Sequence, residues 1–246
     1  MAEVLATEGF WLLVIGTILA GLVRGFSGFG TAMVFLPFAA QVYEPVWVLI
    51  VLIMIDMFGP IPAVPRALRD GHPWDVFRLC VGALVGLPFG FLILFSIPQG
   101  TFRYAIIAVS LCLLILLISG VRYRGNVSRT AVFGTGVLSG LFGGAVLLPG
   151  PPVILFYMAR PLPVSAIRAN TLLFLVAVDA LMFLFIAFRG LFEWQPVITR
   201  LMLFPAYGIA ILVGTAIFDP RHETVYRWVA YAIIAGSAVR GLPIWG

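Results

Sequence analysis

The sequence predicts an all-α polytopic membrane protein built from two homologous halves. Each half holds one glycine-broken, re-entrant helix and three transmembrane helices. Three observations carry this expectation. The 246 residues are 62% hydrophobic and only 10% charged, against about 45–50% and about 25% in soluble domains. Apolar stretches of helix-spanning length recur from end to end, with a mean hydropathy of +1.13. Two of these stretches are too long for one span and carry glycine clusters near their middles.

The elements follow from the apolar runs and their breakers. The chain opens "MAEVLATEGF", with Glu3 and Glu8 and no base before Arg24. A cleavable leader would open on a basic region, so the first apolar segment is expected to stay. Eight regions result: 7–42, 45–66, 75–97, 101–120, 130–160, 163–188, 196–218 and 222–243. They are separated by turn-rich junctions such as "RDGHPWD" at 69–75, "RYRGNVSR" at 122–129, "RPLP" at 160–163 and "DPRHE" at 219–223. The first region would form a helix of about 50 Å and the fifth one of about 44 Å, against a hydrocarbon core of about 30 Å. Two half-helices around a glycine break explain both.

The two odd regions also resemble each other. "GLVRGFSGFG" starts at Gly21 and "GVLSGLFGGA" at Gly136. At a shift of 115, Gly21, Gly25 and Gly28 fall on Gly136, Gly140 and Gly143, and Arg24 falls on Ser139. "LVG" at 84–86 recurs at 212–214, and other short echoes keep the same order. Their collinearity points to a duplication, with halves of about 1–121 and 122–246. Loop-proximal arginines divide nine to five if the broken regions cross the membrane and ten to four if they are re-entrant. Charge bias does not separate these; the segment lengths favour re-entry.

Charge and motif content exclude several classes. The net charge of +5 is carried by dispersed arginines, with no lysine and no nucleic-acid footprint. Cys80 and Cys112 lie in apolar segments and read as core residues. His72 and His222 are loop residues, and no metal-binding or nucleophile–base pattern accompanies them, so no catalytic residue, metal or cofactor is expected.

The breaks carry the chemistry. A helix that begins inside the membrane presents unpaired N–H groups and a partial positive charge, which together suit an anion. Restarts are predicted near Gly28–Thr31 and at "PGPPVILFYM". Arg24 adds a permanent charge and a planar fork suited to an oxyanion; at membrane depth it costs at least about 2.5–3.5 kcal/mol on insertion scales. Packing glycines are the bland alternative for the glycine clusters. Asp56 in "LIMIDMFGP" and Asp179 in "LFLVAVDALMF" are intramembrane charges, not expected to face lipid, that suit a proton carrier, a Na⁺ ligand or an arginine partner. Arg168 lies three turns before Asp179, on the same face but about 16 Å away. Asn170 beside it is a candidate donor.

On these blocks the sequence resembles the TauE/SafE sulfite-exporter family, also called the toluenesulfonate uptake permease family. "GLVRGFSGFGTAMVFLP" is similar to its first signature, "PGPPVILFYMARPLP" to its Gly-Gly-Pro-Pro block, and "SAIRANT" to the stretch that follows. One departure is that the compact Gly-Gly-Pro-Pro block is here "GGAVLLPGPP". The resemblance implies a multi-pass transporter of the bacterial inner membrane for sulfite or an organosulfonate. It assigns substrate contacts to Arg24, Ser27, Gly28 and Gly30; to Ser139, Gly140, Gly143, Gly150, Pro151 and Pro152; and to Arg168. Helix-end chemistry adds Thr31 and Asn170. Asp56 and Asp179 are the candidates for coupling to H⁺ or Na⁺. An anion channel and a cation-coupled carrier of another small anion are the rival readings, and an oligomer stays open.

Overall fold

A computed structural model describes residues 9–58, 60–119 and 128–242. Glu3, Glu8, Arg122 and Arg124 lie outside the described residues. Eleven α-helices occur among the described residues: α1 Phe10–Ser27, α2 Thr31–Val42, α3 Pro45–Phe58, α4 Val64–Asp70, α5 Pro73–Ser96, α6 Gln99–Ser119, α7 Arg129–Val146, α8 Gly150–Met158, α9 Val164–Phe188, α10 Trp194–Ile217 and α11 Glu223–Arg240. Five segments, Phe10–Ser27, Pro73–Ser96, Gln99–Ser119, Ser165–Phe188 and Trp194–Ile217, are long and apolar enough to cross a membrane.

The predicted breaks are present. The first apolar region divides at Gly28–Gly30 into α1, about 27 Å long, and α2, about 18 Å. The fifth divides at 147–149 into α7 and the nine-residue α8. The region expected over 45–66 is shorter as a helix: α3 stops at Phe58, and a 3₁₀ turn at Ile61–Ala63 leads into α4. Pro60, Pro62 and Pro65 explain the interruption, because each removes a backbone donor.

The chain forms two compact units, each drawn from distant stretches of sequence. Unit 1 comprises Met1–Ile55, Pro98–Leu114 and Leu191–Gly246; unit 2 comprises Asp56–Ile97 and Ile115–Gly190.

In unit 1, α1 packs along α10, and α11 covers α1 and α2. Small residues make the α1–α10 approach close: a Cβ added at Gly25 would lie 2.6 Å from the Ile211 carbonyl oxygen, and one at Gly21 2.9 Å from that of Tyr207. Arg103 of α6 donates to the Gly241 and Leu242 carbonyls at 2.6 and 3.2 Å, which satisfies the open C-terminal end of α11.

In unit 2, α7 packs along α5 in the same manner, with more glycine. Gly82, Gly86 and Gly90 of α5 face Gly136, Gly140 and Gly144 of α7, and an added Cβ at any of the six would come within 2.1–2.6 Å of a backbone oxygen across the seam. Such small-residue seams let membrane helices gain contact without a hydrophobic drive. Phe91 stacks on Phe185 at 4.2 Å between centroids and joins α9 to α5.

Large apolar side chains cover the outside. On α5, Trp74, Phe77, Leu84, Phe89 and Leu92 are exposed, while Leu79, Ala83, Leu87 and Phe91 are buried. Trp11, Trp74 and Trp194 sit exposed in the first turns of α1, α5 and α10, the position of an interfacial aromatic anchor.

Candidate functional site

The first break is a glycine-capped helix end followed at once by an uncapped helix start. Gly28 adopts φ +79° and returns its N–H to the Arg24 carbonyl at 2.9 Å. Gly30 adopts φ +95° and offers no side-chain cap to α2. Both conformations favour glycine. The first intrahelical bond of α2 runs from Val34 N–H to Gly30 C=O at 3.1 Å, so the amides of Thr31, Ala32 and Met33 have no partner in the ladder. Ser27 stays local: its Oγ lies 2.6 Å from the Val23 carbonyl and 2.7 Å from that of Phe29, and accepts the Phe29 N–H at 3.3 Å. Thr31 Oγ1 is buried and 3.0 Å from the Tyr207 hydroxyl on α10. Arg24 is half-buried in the last turn of α1, one turn before the break.

The second break is built differently. α7 runs on past Gly143 and ends at Leu147, which holds φ +60° with its N–H bonded to the Gly143 carbonyl. The αL cap thus falls four residues beyond Gly143, the residue 115 positions after Gly28. Ser139, at the position matching Arg24, is fully buried and donates its hydroxyl proton to the Pro149 carbonyl. It clamps the loop. Gly143 leaves room for Pro149, whose Cβ would lie 3.0 Å from an added methyl. Gly140 faces the Ala83 backbone in the seam. α8 then starts at Gly150 with Pro151 and Pro152 in its first turn and no side-chain cap; prolines there remove donors that the ladder leaves unused.

Arg168 lies exposed in the second turn of α9, and Asn170, two residues on, is buried. Asn170 Oδ1 accepts the His72 N–H at 2.6 Å and so supports the start of α5. Asp56 and Asp179 are buried carboxylates, 8% and 7% exposed, on α3 and α9. Two features escaped the sequence reading. One is Tyr207, the partner of Thr31, in "FPAYG". The other is a charged knot in unit 2: Asp75 pairs with Arg160 at 2.8 Å and with Arg78 at 3.2 Å. "RDGHPWD" and "ARPLP" each showed a charge beside a helix end, the one available signal.

Apolar helices of membrane-spanning length, two long apolar regions interrupted at Gly28–Gly30 and at 147–149, and carboxylates buried within apolar helices fit a multi-pass membrane protein of the transporter class. The chain belongs to the sulfite exporter TauE/SafE family, which it matches over residues 13–241. It is also similar to a probable sulfite/organosulfonate exporter TauE of Cupriavidus necator, 29% identical over 112 residues. That alignment covers 46% of this chain and 42% of the relative's length. No solved structure matches the chain. Members of this family are transporters rather than enzymes.

Proposed function

We propose that the protein is a secondary transporter that moves a small sulfur-containing anion, sulfite or an organosulfonate of sulfoacetate type, across the bacterial inner membrane by alternating access. The observation that carries this reading is the first break. Arg24 stands one turn before a break that opens a helix whose first amides are uncapped, within a segment otherwise fit for lipid. A guanidinium and a helix N-terminus both favour an oxyanion. Gly28 and Gly30 keep the backbone there bare, with Ser27 and Thr31 bracing it. In the second break, Gly150, Pro151 and Pro152 open α8 as the uncharged counterpart, and Arg168 and Asn170 belong to the same functional set. Ser139, Gly140 and Gly143 serve it by shaping the loop and the seam.

The halves 1–121 and 122–246 are proposed as a duplication, with each broken helix re-entrant. Equivalent contacts support it: Gly21 and Gly25 stand on Tyr207 and Ile211, while Gly136 and Gly140 stand on Leu79 and Ala83. One shift of 115 relates the glycines, and one shift of 128 relates their partners. Asp56 and Asp179 are proposed to couple transport to H⁺ or Na⁺, since a buried carboxylate in a membrane is retained at a cost.

Flux of labelled sulfite and sulfoacetate into proteoliposomes tests this. Saturable uptake is expected, with Arg24→Gln weakening apparent affinity about 10- to 100-fold, the worth of one charged hydrogen bond. Arg24→Lys keeps the charge but loses the fork and falls between the two. Non-saturating, purely electrogenic flux would mark a channel instead. Wild-type flux in Arg24→Gln would remove the anion role from the first break.

A further inference from the structure

Among the described residues of unit 2, the Tyr157 hydroxyl, the Asn170 side-chain amide nitrogen and the Thr171 hydroxyl are buried donor groups with no hydrogen-bond partner. Tyr157 and Asn170 are fully buried, and Thr171 nearly so. Buried polar groups are almost always paired, so three on two successive, mutually packed helices call for a ligand. Both helices are fixed to the first turns of α5. Asn170 Oδ1 holds the His72 N–H, and Arg160, one turn beyond Tyr157, holds Asp75. Tyr157 lies within electrostatic reach of Asp75, Arg160 and Cys80.

The chemistry of the three groups selects the ligand. The bond from His72 fixes the Asn170 amide so that its NH₂ end is the unpaired one, and that end only donates. It therefore requires an acceptor and rejects a bare cation. Tyr157 and Thr171 can donate alongside it. Asp75, the nearest carboxylate, is itself engaged by Arg160 and Arg78.

We propose that Tyr157, Asn170 and Thr171 form a buried site of neutral donors, beside the start of α5, that takes the oxygen atoms of a small oxyanion. It rests on the transport reading above for the class of anion, and it adds a station on uncharged groups, where the anion binds more weakly than on an arginine and is more easily released.

The test uses the purified full-length chain and two readouts: the rise in melting temperature with sulfite or sulfoacetate, and flux in proteoliposomes. Tyr157→Phe removes only an unpaired hydroxyl, so without anion it is expected to melt at or above wild type. It is expected to need about tenfold more anion for the same shift, the equivalent of one neutral hydrogen bond. Asn170→Asp keeps the acceptor for His72 but turns the donor into a like charge, and is expected to abolish the shift. A Tyr157→Phe protein with wild-type anion shift and wild-type flux would overturn the site and leave the transport reading standing. Wild-type protein that shows no shift with either anion also overturns it, whatever the flux. An anion shift that Tyr157→Phe weakens, in a protein that carries no sulfur anion across the bilayer, would support the site and sink the transport reading.

Discussion

The two broken helices, α1 and α7, pack by one plan and break by two. Each lies along a long helix from far away in the sequence, glycine against backbone, at matching positions. Beyond the seam they part. α1 carries Arg24 one turn before an exposed glycine cap, whereas α7 carries Ser139, which spends its proton on its own loop. The common part is what membrane packing demands of any such pair. The part that differs separates a charged break from a clamped one.

The largest expected effect is on the shared plan. Gly86→Ala would set a Cβ 2.1 Å from the Val137 carbonyl oxygen, and Gly214→Ala one 2.5 Å from that of Leu22. Backbone cannot swing aside as a side chain can, so each is expected to cost more than the usual ~1–3 kcal/mol of overpacking. Gly86→Ala should cost more, because unit 2 has the tighter seam. Gly134→Ala on α7 and Gly236→Ala on α11 meet nothing within 4 Å; both are expected to gain up to about 1 kcal/mol from helix propensity. Equilibrium unfolding in detergent reads all four. Equal stability of the Gly86→Ala and Gly134→Ala proteins would remove the seam as the basis of the comparison.

Next comes the difference itself. Ser139→Ala leaves the Pro149 carbonyl without its donor and is expected to lose about 1–3 kcal/mol of stability. Its flux per folded molecule should stay near wild type. Arg24→Gln is expected to act chiefly on flux, since it removes the charge proposed to meet the anion. Two variants that fall on the same axis would show that the breaks share one task.

Much of this layout was legible in the sequence because breaks in apolar helices announce themselves. Glycine runs located both interruptions, and the restarts at Thr31 and Gly150 fell where the helix-start residues placed them. Asp56 and Asp179 stood out as charges in apolar runs, and both are buried. Pairings across long separations were not legible. Thr31 with Tyr207, and Asp75 with Arg160, join residues that no local pattern relates. Tyr157 was hidden because a tyrosine in an apolar run looks the same whether or not its hydroxyl is paired. The later position of the second cap was hidden too, since Gly143 matches Gly28 in sequence yet remains helical, and a leucine takes the left-handed turn.

That exchange of glycine for leucine yields the smallest and most discriminating test. Leu147 is fully buried at φ +60°, so its strain of about 1–2 kcal/mol is offset by the burial of its side chain. Leu147→Gly relieves the strain but gives up that burial, and a net loss of about 1–3 kcal/mol is expected. Gly28 is exposed at φ +79° and has no side chain to trade. Gly28→Ala is expected to lose about 1 kcal/mol and Gly28→Asn less, because asparagine tolerates that conformation. Flux then separates geometry from space. If Gly28→Asn keeps both stability and transport, the first break needs glycine only for its turn. If it keeps stability but loses transport as completely as Arg24→Gln, the bare backbone beside Arg24 is itself part of where the anion passes.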